Sequence, residues 1–125
     1  MKTLALVLSV LLGVFMIFAG VQHFMNPATF LPFVPAFLPF RPAFVPLSGI
    51  VEILLGAAAL VPALRSRAAW GIMCLMIVFL PLHVWDVFRE QPAIGSHQAA
   101  LMRLPFQFVF ILWAGVVGKY SATKR

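Results

Sequence analysis

The chain has 125 residues, which is enough for one domain, and 63% of them are hydrophobic while only 10% are charged. A soluble domain carries about 25% charged residues, so this composition excludes a soluble globular protein and predicts a single integral membrane domain, residues 1–125. The net charge of +6 does not indicate nucleic acid as a partner, because the basic residues lie at the ends of apolar segments and form no basic stripe with interleaved aromatic residues.

The first predicted helix covers residues 3–22. Lys2 precedes a run of about 19 apolar residues, which is long enough to cross a bilayer. A basic start before an apolar stretch also resembles a secretory signal peptide, but Phe18-Ala19-Gly20 stands where an Ala-x-Ala cleavage site would be expected. We therefore predict an uncleaved membrane-spanning helix.

From His23 to Pro46, six prolines alternate with six phenylalanines. Six prolines are incompatible with a regular spanning helix, although Asn26-Pro27 is typical of the start of a short helix with asparagine as N-cap. The stretch is too apolar for a solvated loop. We predict that residues 23–45, the Pro/Phe segment, lie at the membrane interface or fold over the helices as an aromatic lid. A simple anchor in the aromatic belt is the alternative.

The second predicted helix covers residues 46–61. On a helix, Ser48, Glu52, Gly56 and Ala59 fall on one stripe. Small residues there allow another helix to approach closely, so Glu52 is expected in a helix–helix interface and not in lipid. An ionisable residue at such a depth costs about 2.5–3.5 kcal/mol to insert, which makes Glu52 a candidate functional residue. A structural role in pinning helices together is the alternative.

The third and fourth predicted helices cover residues 68–87 and 100–118. Pro81 lies within the third, where it should kink the helix or free a carbonyl group. A polar connection, residues 88–99, joins these two helices. The predicted fold class is therefore all-α: a polytopic transmembrane four-helix bundle with a Pro/Phe-rich interfacial segment between helices 1 and 2.

The distribution of lysine and arginine predicts the orientation in the bacterial cytoplasmic (inner) membrane. Six basic residues lie on one side of the predicted helices and three on the other. Because positive residues accumulate on the cytoplasmic side, both termini are expected there, with the Pro/Phe segment facing outward. The six are Lys2, Arg65, Arg67, Lys119, Lys124 and Arg125, and the three are Arg41, Arg89 and Arg103.

Polar residues are concentrated in the outer halves of the predicted helices, and the inner halves contain almost none. We therefore predict a polar pocket in the outer leaflet. The candidate catalytic residues are Glu52, His83 and Asp86, with the Asp86 carboxylate orienting the His83 imidazole for proton transfer. The predicted substrate-binding residues are His23, Phe33, Phe37, Arg103 and Gln107.

Each candidate also has a structural interpretation. Arg103 is the natural counter-ion of Glu52, and such a pair would be structural. His23 and His83 are also expected as plain hydrogen-bonding groups at the membrane edge, and Gln107 as a bridge between helices. No metal site is predicted, because the histidines and carboxylates show no His-x-x-x-His or Glu-x-x-His spacing. The single cysteine, Cys74, excludes electron transfer through a cysteine pair within the chain.

Several motifs resemble those of the DoxX family of small bacterial membrane proteins. They are Gly20-Val21-Gln22-His23-Phe24 followed by Asn26-Pro27, Ser48-Gly49 with Glu52-Ile53 and Gly56, and Pro62 with a basic turn. The resemblance covers residues 10–117 and implies a four-helix membrane bundle linked to redox chemistry. Relatives in that family include a subunit of thiosulfate:quinone oxidoreductase and proteins of thiol and oxidative-stress systems, which makes a quinone the cofactor to consider.

Two functions from different classes follow. The first is a membrane subunit or enzyme that handles a small lipid-soluble molecule such as a quinone, together with a membrane or periplasmic redox partner protein. The alternative is a non-enzymatic membrane anchor or assembly factor for a partner protein, with a purely structural polar cluster. A transporter is disfavoured because the polar residues stop halfway across the predicted span.

The predicted orientation is tested by fusing a reporter enzyme to the C-terminus. A reporter that is active only in the periplasm should be silent, because the count of positive residues places the C-terminus in the cytoplasm. A reporter that is active in the cytoplasm serves as the expression control. Activity of the periplasmic reporter would reverse the orientation and place the polar pocket on the cytoplasmic side.

Overall fold

The structure, a computed structural model, describes residues 2–121, and within that range it contains helices and no strands. The elements are α1 Lys2–Met25, α2 Pro27–Phe30, a 3₁₀-helix Leu31–Phe33, α3 Arg41–Leu60, α4 Arg65–Phe88 and α5 His97–Tyr120. By length and composition, α1, α3, α4 and α5 could each cross a membrane. This confirms the predicted all-α protein with four long apolar helices. Lys124 and Arg125, used above to predict orientation, lie outside the described residues.

Helix α3 begins at Arg41, and the predicted start at residue 46 is wrong. Pro42 lies in the first turn, where a helix does not need the backbone N–H that proline lacks. Pro46 lies inside the helix and removes one backbone hydrogen bond, but nearby the Ser48 hydroxyl donates to the carbonyl of Phe44 at 2.8 Å. The helix therefore has 20 residues, which is long enough for a span.

The other long helices also extend beyond their predicted bounds. Helix α1 ends later than predicted, α4 begins at Arg65 and α5 begins at His97. Ser96 is the N-cap residue of α5, and its hydroxyl accepts a hydrogen bond from the backbone N–H of Ala99 at 3.1 Å. The connection between α4 and α5 is correspondingly shorter than the predicted one.

The predicted bounds of the Pro/Phe segment, residues 23–45, are too wide, because residues 23–25 belong to α1 and residues 41–45 to α3. The name refers below to residues 26–40, which join the two helices. Its regular structure is limited to α2 and the 3₁₀-helix. Asn26 is the N-cap residue of α2, but its side chain does not cap the helix and donates instead to Oε1 of Gln22 at 2.8 Å. Phe40 takes a left-handed conformation where the chain enters α3 (φ 56°, ψ 40°), which costs a residue other than glycine about 1–2 kcal/mol.

Helices α1 and α3 approach closely at two pairs of glycines. A Cβ atom added at Gly20 would lie 2.6 Å from the carbonyl oxygen of Gly49, and one added at Gly49 would lie 2.9 Å from the oxygen of Gly20. Gly13 and Gly56 make the same reciprocal contact, at 2.8 and 2.7 Å. All four distances are shorter than van der Waals contact, so a residue with a side chain does not fit. Together the two pairs fix the antiparallel register of α1 and α3.

The four long helices pack in a cyclic order. Helix α1 packs on α3 and α4 packs on α5 over long interfaces, while α3 also contacts α4 and α1 also contacts α5. Helices α3 and α5 are therefore diagonally opposite. The main apolar core joins the helices in the half that is remote from the Pro/Phe segment, and its central residues are Leu12, Met16, Ala59, Ile72, Ala114 and Val117.

Two hydrogen bonds between helices reinforce this apolar half. The indole Nε1 of Trp113 donates to the carbonyl of Leu8 at 3.0 Å, and the hydroxyl of Ser66 donates to the carbonyl of Gly118 at 2.7 Å. Each bond satisfies a side-chain donor with a backbone acceptor on another helix. This half is therefore closed by packing and hydrogen bonds, which leaves the half near the Pro/Phe segment for a cavity.

The glycine contacts predict that two matched substitutions differ strongly in their effect on the stability of the protein. Gly20→Ala places a methyl group against the backbone of α3 and should cost about 1–3 kcal/mol of stability through overpacking. Gly115→Ala should be neutral or mildly stabilising, because its Cβ would meet only the Met73 sulfur, at 3.3 Å, and alanine is the better helix former. Thermal unfolding in detergent measures both. Equal unfolding temperatures for the two variants would contradict the close approach of α1 and α3.

Candidate functional site

A cavity of about 550 Å³ lies between the four long helices and the Pro/Phe segment. Its walls are mainly apolar and aromatic, as is usual in sites for small molecules. Asp86 and Phe37, two of the eight predicted site residues, do not line it. The other six do, and they are His23, Phe33, Glu52, His83, Arg103 and Gln107.

Glu52 projects from α3 into the cavity and is only 4% exposed. Its Oε2 lies 3.0 Å from Nδ1 of His23, but that ring nitrogen also lies 2.7 Å from the carbonyl oxygen of Ala19. A carbonyl oxygen can only accept, so we assign the imidazole hydrogen to Nδ1 and direct it to Ala19. Oε2 of Glu52 is therefore close to His23 but remains a buried oxygen without a hydrogen-bond partner.

Arg103 reaches the cavity from α5 and is held by Gln107. Its Nη2 donates to Oε1 of Gln107 at 3.0 Å, and Nε2 of Gln107 donates to the backbone carbonyl of Met76 at 2.7 Å. The guanidinium carbon lies 5.1 Å from the ring centroid of Phe110, within cation–π range. Nη1 is buried and has no hydrogen-bond partner. Gln107 therefore bridges α4 and α5, as one interpretation of the sequence expected, and it also orients Arg103.

Glu52 and Arg103 do not form the ion pair that the sequence offered as a structural explanation of Glu52. Among the residues that the structure describes, the close approaches between a carboxylate and a basic side chain are Glu52 with His23 and Asp86 with Arg89. Glu52 and Arg103 come from diagonally opposite helices, and no ion pair joins them. Each of them therefore presents a polar atom to the cavity.

Asp86 does not orient His83, so the predicted catalytic pair is not assembled. The Asp86 carboxylate, 2% exposed, accepts hydrogen bonds from the backbone N–H groups of Ala93 and Ile94 and lies 3.5 Å from Nη1 of Arg89. It holds the connection between α4 and α5 against the end of α4. The three-residue spacing would allow Asp86 to reach His83, but its carboxylate is engaged by these other groups, and only His83 lines the cavity.

Aromatic residues of the Pro/Phe segment pack on the two cavity histidines. Phe30 stacks on His23, with ring centroids 3.8 Å apart, and Phe33 packs at a tilt on His83, with centroids 5.4 Å apart. Phe37, predicted to bind substrate beside Phe33, is 83% exposed and lies outside the cavity. The 3₁₀-helix ends at Phe33, and the chain beyond it carries Phe37 outside the cavity.

Two arginines that the sequence assigned only to topology hold the Pro/Phe segment by its backbone. Arg41 donates to the carbonyl groups of Leu31 at 3.2 Å and Val34 at 2.8 Å, and Arg89 donates to the carbonyl of Pro32 at 2.8 Å. Sequence analysis missed this role. The available signal was a proline-rich stretch with arginines nearby, because proline supplies no N–H group and leaves carbonyl groups that need donors.

The chemical capacity of the cavity follows from these contacts. It offers a fixed guanidinium N–H donor, a carboxyl group that exchanges protons, and imidazole rings with nitrogen atoms that donate or accept. Within residues 2–121, no three histidine, cysteine, aspartate or glutamate side chains come together in a way that could hold a metal ion. The cavity is therefore suited to binding and orienting a molecule with polar groups, and to proton exchange with it.

Four long apolar helices fit a multi-pass membrane protein. The chain belongs to a family described as a domain of unknown function (DUF8561), whose model matches residues 12–118. The matched region includes every residue that lines the cavity. No curated protein and no solved structure matches the chain.

Two isosteric substitutions of buried carboxylates should lower the free energy of unfolding by different amounts. Glu52→Gln should cost less stability than the second substitution, because Oε2 of Glu52 has no hydrogen bond to lose. Asp86→Asn should cost about 1–3 kcal/mol, since it weakens two hydrogen bonds to backbone N–H groups and the pairing with Arg89. Denaturant or thermal unfolding in detergent measures both.

A double-mutant cycle provides the control for the absent ion pair. Combining Glu52→Gln with Arg103→Gln should give a coupling energy below about 0.5 kcal/mol. A large stability loss in Glu52→Gln that Arg103→Gln rescues would show instead that the two residues form a structural pair.

Proposed function

We propose that the protein is a multi-pass protein of the bacterial cytoplasmic membrane, in which the cavity binds a small lipid-soluble molecule with polar oxygen groups, such as a quinone. In this proposal the protein acts as a redox-linked membrane subunit or enzyme. The observation that carries the proposal is the pair of buried atoms without partners, Oε2 of Glu52 and Nη1 of Arg103, in a cavity with mainly apolar walls.

The energetic cost of these two atoms supports a binding role. A buried polar group without a hydrogen bond costs about 1–3 kcal/mol, and more when it is charged. A purely structural cluster would be expected to satisfy its own members, as Asp86 and Gln107 do. Glu52 and Arg103 do not satisfy each other. A ligand with oxygen groups would supply the missing contacts and offset that cost.

The proposed position in the membrane follows from the charge distribution. The four long helices would form a transmembrane bundle with both termini in the cytoplasm, because most basic residues lie on that side. The cavity would then lie in the outer leaflet, covered by the Pro/Phe segment at the membrane interface. A lipid-soluble molecule would reach such a site from the bilayer, which suits apolar walls.

A quinone fits the residues present in two respects. Its carbonyl oxygens are acceptors that suit Nη1 of Arg103, and its flat ring suits the aromatic faces of Phe30 and Phe33. A bound quinone supplies reversible redox chemistry that consumes or releases protons. Glu52 would hold or release a proton at Oε2, and Arg103 would orient an oxygen. The resemblance to the DoxX family supports this class of ligand, with the electrons exchanged through a membrane or periplasmic redox partner protein.

Mass spectrometry of molecules that co-purify with the protein tests the proposal. A lipid-soluble molecule other than bulk phospholipid should be retained in a defined ratio to protein. Phe33→Ser should reduce its retention severalfold, because Phe33 lines the cavity and packs on His83. Phe37→Ser is the matched control, since its ring is exposed and outside the cavity.

The same experiment separates the two classes of function. Retention that is unchanged in Phe33→Ser, or that falls equally in Phe37→Ser, would mean that the molecule is not bound in the cavity. Co-purification of a stoichiometric partner protein with no such molecule would favour the membrane anchor or assembly factor.

A further inference from the structure

Glu52 and Arg103 approach the cavity from opposite sides. They belong to α3 and α5, which are diagonal in the packing order of the helices. Of the side-chain nitrogen and oxygen atoms in residues 2–121, Oε2 of Glu52 and Nη1 of Arg103 are the two that are buried without a hydrogen-bond partner. Both residues line the same cavity. The two polar atoms without partners therefore face the same cavity from two different helices.

The two atoms need different contacts. Nη1 of Arg103 is an N–H group that can only donate, so it requires an acceptor such as an oxygen atom. Oε2 of Glu52 accepts from a donor when the carboxyl group is ionised and donates when it is protonated. A hydroxyl group satisfies either form because it both donates and accepts. Because the two residues belong to diagonal helices and form no ion pair, we expect that two oxygen groups, one at each residue, are needed to satisfy both.

We infer that the ligand of this cavity carries two oxygen groups on opposite sides of a compact apolar skeleton, and that it bridges Glu52 and Arg103. The inference rests on the proposed function and adds the number and placement of the polar groups to it. The volume of about 550 Å³ is in the range of small-molecule sites and accommodates a ring with an apolar chain. Phe30, Phe33 and Phe110 line the volume and provide flat apolar surfaces for a ring.

The surroundings of each residue support a ligand that is fixed at both ends. Gln107 holds Arg103 through a hydrogen bond and is itself tied to the backbone of α4. His23 lies against Oε2 of Glu52 and is held by its own contact with Ala19. Arg103 is therefore held in place before a ligand binds, and a preorganised group loses little freedom on binding. Glu52 is confined by the neighbouring His23 ring, and its Oε2 stays free for a ligand contact.

A series of three probes with the same chain tests the inference in detergent micelles. The probes are decylbenzene, 3-decylphenol and 2-decylhydroquinone, which carry zero, one and two ring oxygens, and the last is kept reduced under argon. Binding is measured as quenching of tryptophan fluorescence, with protein-free micelles correcting for partition. Wild-type protein should bind the hydroquinone about tenfold more tightly than the phenol, as one additional satisfied hydrogen bond implies.

Two apolar variants locate the contacts. The ratio of the affinity for the hydroquinone to the affinity for the phenol is called the second-oxygen advantage. In Glu52→Leu and in Arg103→Met this advantage should fall below about threefold, because only one polar contact remains to be made. In Phe37→Ser, which changes an exposed residue outside the cavity, the advantage should persist. Each variant is compared with its own binding of decylbenzene, so that a change in the apolar walls is separated from a lost polar contact.

The outcomes distinguish the inference from the proposed function. Equal affinity of wild-type protein for the hydroquinone and the phenol overturns the bridging ligand, and saturable binding of both then leaves the proposed function standing. No saturable binding of any probe overturns both. A second-oxygen advantage that persists in both Glu52→Leu and Arg103→Met overturns the assignment of the two contacts, and the wild-type comparison decides the inference even if a variant does not fold.

Discussion

The contact between the backbones of α1 and α3 at two glycine pairs determines where the polar groups of this protein lie. Gly20 and Gly49 come so close that neither tolerates a Cβ atom, and the second pair fixes the register along the helices. In that register, His23 at the end of α1 lies beside Glu52 of α3. A wider or shifted interface would expose the Glu52 carboxylate to the hydrocarbon of a membrane, where it would be costly.

The two halves of the helix assembly have opposite characters. Remote from the Pro/Phe segment, small and aliphatic residues pack tightly, and Trp113 and Ser66 bond backbone carbonyls of other helices. Near the segment, the helices leave a cavity whose polar side chains include atoms without partners. Tight packing in one half supplies stability that the incompletely satisfied half does not, a distribution common in proteins with binding sites.

The sequence predicted the parts of this arrangement that depend on local patterns. Four apolar runs predict four helices, and the small residues around Glu52 predict its burial between helices, because both follow from helical periodicity. Gly49 and not Ser48 lies at the closest contact, a difference of one residue that depends on the rotation of α3. The start of α3 was missed because proline was interpreted as a boundary, whereas Pro46 lies inside the helix.

Other features depend on tertiary contacts that no local pattern encodes. The Asp86 carboxylate accepts hydrogen bonds from the backbone N–H groups of Ala93 and Ile94 and therefore does not orient His83. The separation of Phe33 from Phe37 depends on the path of the Pro/Phe segment after the 3₁₀-helix. The hydrogen bonds from Arg41 and Arg89 to carbonyl groups 7 and 57 residues away likewise cannot be predicted from helical periodicity.

The attachment of the Pro/Phe segment by its backbone has an evolutionary consequence. Arg41 and Arg89 donate hydrogen bonds to backbone carbonyl oxygens of the segment. A backbone carbonyl oxygen is present whatever side chain the residue carries. Residues of the segment that face the cavity are thus free to diverge while the cover stays anchored. A few aromatic residues that line the cavity can therefore change without rebuilding the helices beneath them.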